Sequence, residues 1–195
     1  VEVNQKYCDA VVKQAGPEDT IWVHDYQLLL LPSMLREKLP DSTIGFFQHI
    51  PFPSYEVFRL LPWRKEILVG MLGSDLIGFH TYDDMRHFLS SVNRIVGYGS
   101  MHGWINMESR SLLVDSFPMG IDYDKYASIA KTEEVIKREK IYRNNLVAEK
   151  LIISIDRLDY SKGIPQRLEA FEKFLEKYPD FHEKVTLVML VVPSR

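Results

Sequence analysis

Apolar positions along this chain change period repeatedly, and the changes outline its elements. Short β-branched and aromatic runs bounded by turn formers predict strands at Thr20–Val23, Ser42–Ile50, Asp75–His80, Leu151–Ile155 and Val185–Val192. Helical spacing predicts helices over Glu2–Ala15, from Pro32-Ser33 to Pro40, over Pro62–Met71, over Thr132–Glu149 and over Pro165–Tyr178. A further helix carries Met85, Phe88, Leu89, Val92 and Val96 on one side, with Thr81 or Asp83 as its cap. Trp104–Phe117 reads as the one β-hairpin of the chain, turning near Glu108-Ser109, and PMGIDYDKY ends it with a turn.

Strands alternating with helices predict an α/β fold of parallel sheets joined by right-handed crossovers. The uninterrupted apolar run Val185–Val192 is that of a parallel strand covered on both faces. Thr132–Glu149 is charged and poor in apolar residues, which suits a connector. The expected division is therefore into residues 1–135 and 136–195, each part of a Rossmann-type domain.

Composition narrows the function classes. With 195 residues, 46% hydrophobic and 26% charged, the chain has the make-up of a globular protein with a proper core. A net charge of -3 gives no basic surplus for a nucleic-acid partner. The single cysteine, Cys8, cannot close an intrachain disulfide, which fits a reducing compartment. No apolar run reaches the ~18 residues of a membrane span, and the first residues lack the build of a signal peptide. A cytoplasmic protein with no membrane partner is expected. Both ends read as interrupted elements, so the chain is expected to be an internal segment of a longer protein.

In an open parallel sheet, ligands meet the residues just past the strand C-termini. Four such places carry chemistry: His24-Asp25-Tyr26, Gln48-His49, the turn with Asp156, Arg157, Asp159, Ser161, Lys162 and Gly163, and Ser194-Arg195. Each has a bland alternative. Asp25 suits a turn cap, and His49 suits a ring wedged before Pro51 and Pro53. Arg157 suits an ion pair with Asp156 or Asp159, and Arg195 suits simple solvation. The strand, cationic loop and Pro165 helix start at 151–165 form a phosphate-binding arrangement, where helix N–H groups add to Arg157 and Lys162. Three cations fit two phosphate groups, one a diphosphate, and a carboxylate without a nearby nucleophile fits sugar hydroxyls. Together they indicate transfer from a nucleotide-activated donor to a phosphorylated acceptor. A metal phosphohydrolase using His24, Asp25, His80, Asp84 and His87 is disfavoured, because His24-Asp25 and His80 end strands rather than sit on helices. A non-catalytic sugar-phosphate sensor on the same scaffold stays open.

The stretches WVHDYQLLLLPSMLR, GFFQHIPFPSYEVFRLLPWRKEIL, DLIGFHTYDDMRHFL, FPMGID and IDRLDYSKGIPQRLEAFEKFL closely resemble trehalose-6-phosphate synthases, in matching order over nearly the whole chain. These are retaining glucosyltransferases of the two-Rossmann-domain (GT-B) type. The resemblance implies a GT-B-like fold, with residues 1–135 ending the acceptor domain and 136–195 starting the nucleotide-sugar domain. It implies UDP-glucose and glucose 6-phosphate as substrates, with no cofactor and no metal. Asp25 and Arg195 fall where the family contacts the acceptor, and His49 where it touches the transferred glucosyl group. Ile50 falls at a contributor to anomer selectivity, and Arg157 and Lys162 at the diphosphate. Relatives read HDYH and HTPFP where this chain has Gln27 and Ile50. Family motifs outside these 195 residues make the segment alone an expected non-catalyst. A homo-oligomer, another phosphorylated acceptor, another donor base and a fused phosphatase domain are all compatible with the resemblance.

Overall fold

A computed structural model describes residues 1–16, 18–145 and 149–193. They fall into two compact units, Val1–Gly120 and Ile121–Arg195.

The first unit contains helices α1 (Glu2–Val12), α2 (Leu31–Lys38), α3 (Tyr55–Phe58), α4 (Arg64–Met71) and α5 (Tyr82–Ser91). Its strands are β1 (Thr20–His24), β2 (Thr43–Phe47), β3 (Leu76–Phe79), β4 (Ser100–Met101), β5 (Trp104–Asn106) and β6 (Ser111–Ser116). They form one sheet in the order β1-β2-β3-β6-β5-β4. The first four strands are mutually parallel, and β5 and β4 add antiparallel partners at the edge. The expected single hairpin is thus two successive antiparallel pairings. The extra one arises at Gly103, whose φ of +83° lets β4 turn back on β5.

Because β1, β2, β3 and β6 are laid down in one direction, right-handed crossovers carry α2, α4 and α5 to the same face. Side chains alternate accordingly. Val23, Ile44, Phe46, Ile77, Phe79, Leu112 and Val114 are buried with Cys8 of α1, Leu35 of α2, Leu68 and Met71 of α4 and Phe88 of α5. The opposite face presents Trp22, Phe47 and Leu76 to an open cavity of about 730 Å³. Of these, Trp22 is 65% exposed. At the N-terminal end of the strands, Asp75 accepts from Arg36 (2.6 Å), from the Ile44 amide (2.7 Å) and from Arg110 (3.4 Å). Burial, then the charge of Arg36, lowers the Arg110 pKa from its ordinary value. This rivet leaves the C-terminal strand ends free for other work.

The second unit holds α6 (Tyr123–Ile129), α7 (Glu133–Asn145), β7 (Lys150–Leu158), α8 (Ile164–Lys177) and β8 (Val185–Pro193). Strands β7 and β8 pair in parallel from Lys150↔Val185 to Leu158↔Pro193. That pairing carries the strand three residues past the apolar run, so Asp156 and Arg157 lie on β7 rather than in the turn after it. A helix at α6 replaces the expected turn, with the Asp122 carboxylate capping the Lys125 amide at 3.0 Å. Nor is β8 buried on both faces: Leu190 is 53% exposed, since two strands and one packed helix cannot cover both sides. Among the described residues, no helix is long and apolar enough to cross a membrane.

Candidate functional site

In the first unit, three strand ends meet. The Asp25 amide donates to the Phe47 carbonyl (2.8 Å) and the Gln48 amide to the Gly78 carbonyl (3.0 Å), which holds the loops after β1 and β2 against the next strand. Asp25 has φ 70° and ψ 170°, an uncommon conformation for a residue with a side chain, costing on the order of 1–3 kcal/mol. Packing keeps it there. Asn4 of α1 is buried, donates to the Gln27 carbonyl (2.9 Å) and accepts from the Leu30 amide (3.1 Å), clamping the turn that follows Asp25. The strained geometry lets the Asp25 Oδ1 accept from the His49 amide at 3.3 Å. Among the described residues the second carboxylate oxygen has no partner.

His49 is exposed, and its Nε2 lies 2.9 Å from His24 Nδ1. The ring planes are 29° apart with centroids 5.2 Å apart, and His80 after β3 meets His49 edge-on at 5.6 Å. The loop beyond His49 is fixed by more than its prolines. Asp84 accepts from the Phe52 amide (2.9 Å), and His87 Nδ1 lies 3.2 Å from the Phe52 carbonyl. The expected cap of α5 is Thr81, which accepts from the Asp84 amide (3.2 Å) and donates to its carboxylate (2.6 Å). Asp84 and His87, weighed above as metal ligands, thus hold backbone. No group of three or more candidate ligands for a metal occurs among the described residues. Ile50, beside His49, is 44% exposed and offers an apolar surface there.

In the second unit Arg157 and Lys162 are left without carboxylate partners among the described residues. Asp156, one suggested mate of Arg157, instead pairs with Arg167 of α8 and accepts from Ser154. The Arg167 hydrogen bond holds the Asp156 carboxyl below its ordinary pKa. Asp159, the other, accepts from the Ser161 amide (2.8 Å) and hydroxyl (2.7 Å), and these bonds lower its pKa, with the charges of Arg157 and Lys162 adding to them. Arg157 and Lys162 therefore make no ion pair with any described residue. Gly163, at φ 62°, turns the chain into α8, whose first-turn amides at Ile164 and Gln166 have no backbone acceptor among the described residues. Two unpaired cations beside a helix N-terminus suit a diphosphate. Arg195 lies outside the described residues.

Sequence reasoning missed Arg167, the His24–His49 contact and the Asp84–His87 clamp. The first has a signal, since a strand-end Asp and a first-turn Arg of the next helix meet in a βα unit. The other two depend on sheet register.

The sequence model of Glycosyltransferase family 20 matches residues 1–195. The chain is 50% identical to an alpha,alpha-trehalose-phosphate synthase (UDP-forming) of Pichia angusta over 201 residues, covering all of this chain and 42% of that protein. It is 49% identical to synthase A of Dictyostelium discoideum over 195 residues, covering all of this chain and 27% of that protein. The chain therefore spans well under half the length of these curated relatives. Among solved structures, it resembles a Burkholderia xenovorans synthase in complex with glucose-6-phosphate at 34% identity and TM-score 0.78, over 100% of this chain and 44% of that one. An E. coli structure bound with UDP-2-fluoro glucose aligns at 32% identity and TM-score 0.76, over 100% and 43%. The N-terminal domain of Candida albicans trehalose-6-phosphate phosphatase aligns at 40% identity and TM-score 0.75, over 98% and 42%.

Proposed function

Since this chain belongs to glycosyltransferase family 20, we propose that the full-length protein transfers glucose from UDP-glucose to glucose 6-phosphate with retention of configuration, forming trehalose 6-phosphate. The observation that carries the proposal is the pair of cations Arg157 and Lys162, unpartnered among the described residues, whose acidic neighbours are both tied to other groups. In the reaction the bond from the glucosyl C1 to the UDP oxygen breaks and a bond from C1 to the acceptor hydroxyl oxygen forms. The hydroxyl proton passes to a leaving diphosphate oxygen, and UDP departs. Negative charge grows on the diphosphate as the bond opens, so fixed cations stabilise the transition state more than the ground state.

Within this reading the first unit contributes to the acceptor domain and the second to the donor domain. Asp25, with one carboxylate oxygen unpartnered, grips acceptor hydroxyls. His49 contacts the transferred glucosyl group, and Ile50 shapes the space that sets the anomer. Arg195 binds the acceptor phosphate. A second reading is a non-catalytic homologue that binds the sugar phosphate only, on a scaffold similar to the N-terminal domain of Candida albicans trehalose-6-phosphate phosphatase.

A product assay separates the two. Full-length protein incubated with UDP-glucose and glucose 6-phosphate is expected to release UDP and an α,α-linked disaccharide phosphate, identified by mass spectrometry and proton NMR. Binding of either substrate without product would favour the sensor. Product only with another phosphorylated acceptor would move the protein to a sister activity.

A further inference from the structure

We propose that His24 is a positioning residue for His49, holding the imidazole so that Nδ1 is the ring nitrogen presented to the hexosyl group of a nucleotide sugar. This rests on the reading of His49 as a sugar contact. His24 is the last residue of β1 and is in register with Phe47 of β2. His49 stands two residues beyond Phe47, so the pleat returns its side chain to the face that carries His24. The rings meet at 2.9 Å between His24 Nδ1 and His49 Nε2, with planes 29° apart.

Aromatic neighbours flank both rings on their protein side. Trp22 lies against His24 at 4.8 Å between centroids, while Phe47 and His80 lie against His49 at 4.9 and 5.6 Å. The His49 backbone is tied to Asp25. A hydrogen bond between two imidazoles needs one N–H and one lone pair, so the contact imposes complementary tautomers. It also occupies Nε2 of His49 and leaves Nδ1 for a ligand. Rotating the His49 ring by half a turn would forfeit the bond.

The test uses the full-length protein with His24→Ala, His24→Asn, His24→Gln, His49→Ala and the His24→Ala/His49→Ala double variant. Asn places a polar atom near the position of Nδ1, whereas Gln carries its amide one methylene further out. Loss of aim alone is expected to lower kcat about 10- to 100-fold in His24→Ala with both KM values changed less than about twofold. His24→Asn should recover most of that loss and His24→Gln little. The double variant should be no slower than His49→Ala, because the two changes remove one interaction. In selectively 15N-labelled protein, the His49 nitrogen shifts should change in His24→Ala. A wild-type kcat in His24→Ala, losses that multiply in the double variant, or His49 shifts that stay put would each overturn the proposal. If the wild-type protein forms no disaccharide phosphate, the functional reading fails, and the nitrogen shifts alone decide whether His24 sets the His49 ring.

Discussion

At the scale of single residues, the second unit sorts its charges by partner. Asp156 has Arg167, Asp159 has Ser161, and Arg157 and Lys162 have neither. If the unpaired cations bind the donor diphosphate, Arg157→Ala in the full-length protein should cut turnover by orders of magnitude and weaken UDP binding. Unchanged UDP affinity by calorimetry would count against that role. Arg167 is expected to behave differently. Its hydrogen bond lowers the folded-state pKa of Asp156, so the stability it confers is present above the ordinary Asp value of about 4 and fades as pH falls through the lowered one. Arg167→Met should therefore be less stable than wild type near neutrality, with the gap closing in acid. Urea titrations at a series of pH values measure the gap, and a gap independent of pH would show that Arg167 acts through packing. The cationic loop itself was legible as a sequence motif. Which carboxylates would be spent elsewhere was only half legible: the strand-end Asp and first-turn Arg spacing hints at Asp156–Arg167, but the pair closes only once α8 has folded back on β7.

Among elements, the legible parts are those whose burial is decided locally. Strands β1 to β3 follow from apolar runs, and the α5 cap follows from Thr81 standing three residues before Asp84. Elements fixed by tertiary pairing escaped. Strand β7 runs on through Arg157 because β8 offers partners as far as Pro193, and α6 formed on its Asp122 cap despite a weak apolar pattern. The His24–His49 contact joins residues 25 apart and becomes visible only with the register of β1 on β2. Helix packing gives a sharper prediction. At Gly73, just past α4, an added methyl would lie 2.3 Å from the Pro32 carbonyl carbon and from the Ser33 amide nitrogen in α2. Both are backbone atoms and cannot swing away. Gly73→Ala should therefore destabilise the first unit by about 2–3 kcal/mol, read as a lower urea midpoint with the slope retained. Gly45→Ala is the control, since its added methyl would meet only Trp22 side-chain atoms, the nearest at 3.5 Å. A midpoint shift no larger at Gly73 than at Gly45 would mean that α2 and α4 are less tightly apposed than this.

At the level of the whole molecule, apolar burial is unevenly shared. Every fully buried hydrophobic side chain among the described residues belongs to the first unit. In the second, the strand that carries Arg157 leaves Ile153 60% and Ile155 70% exposed. Local opening costs less where fewer apolar contacts are lost. In this 195-residue chain the amides of β2 and β3, at Phe46 and Ile77, should therefore exchange with solvent orders of magnitude more slowly than those of β7, at Ile152 and Ile153. A diphosphate clamped by Arg157 and Lys162 would bind β7 and the start of α8 directly. A ligand that binds the folded state alone stabilises it in proportion to the logarithm of its concentration over Kd. In the full-length protein, saturating UDP should accordingly slow exchange across β7 and the first turn of α8 while leaving β2 and β3 unchanged. Protection spread equally over both units, or confined to the first, would place the nucleotide elsewhere than on the Arg157–Lys162 loop.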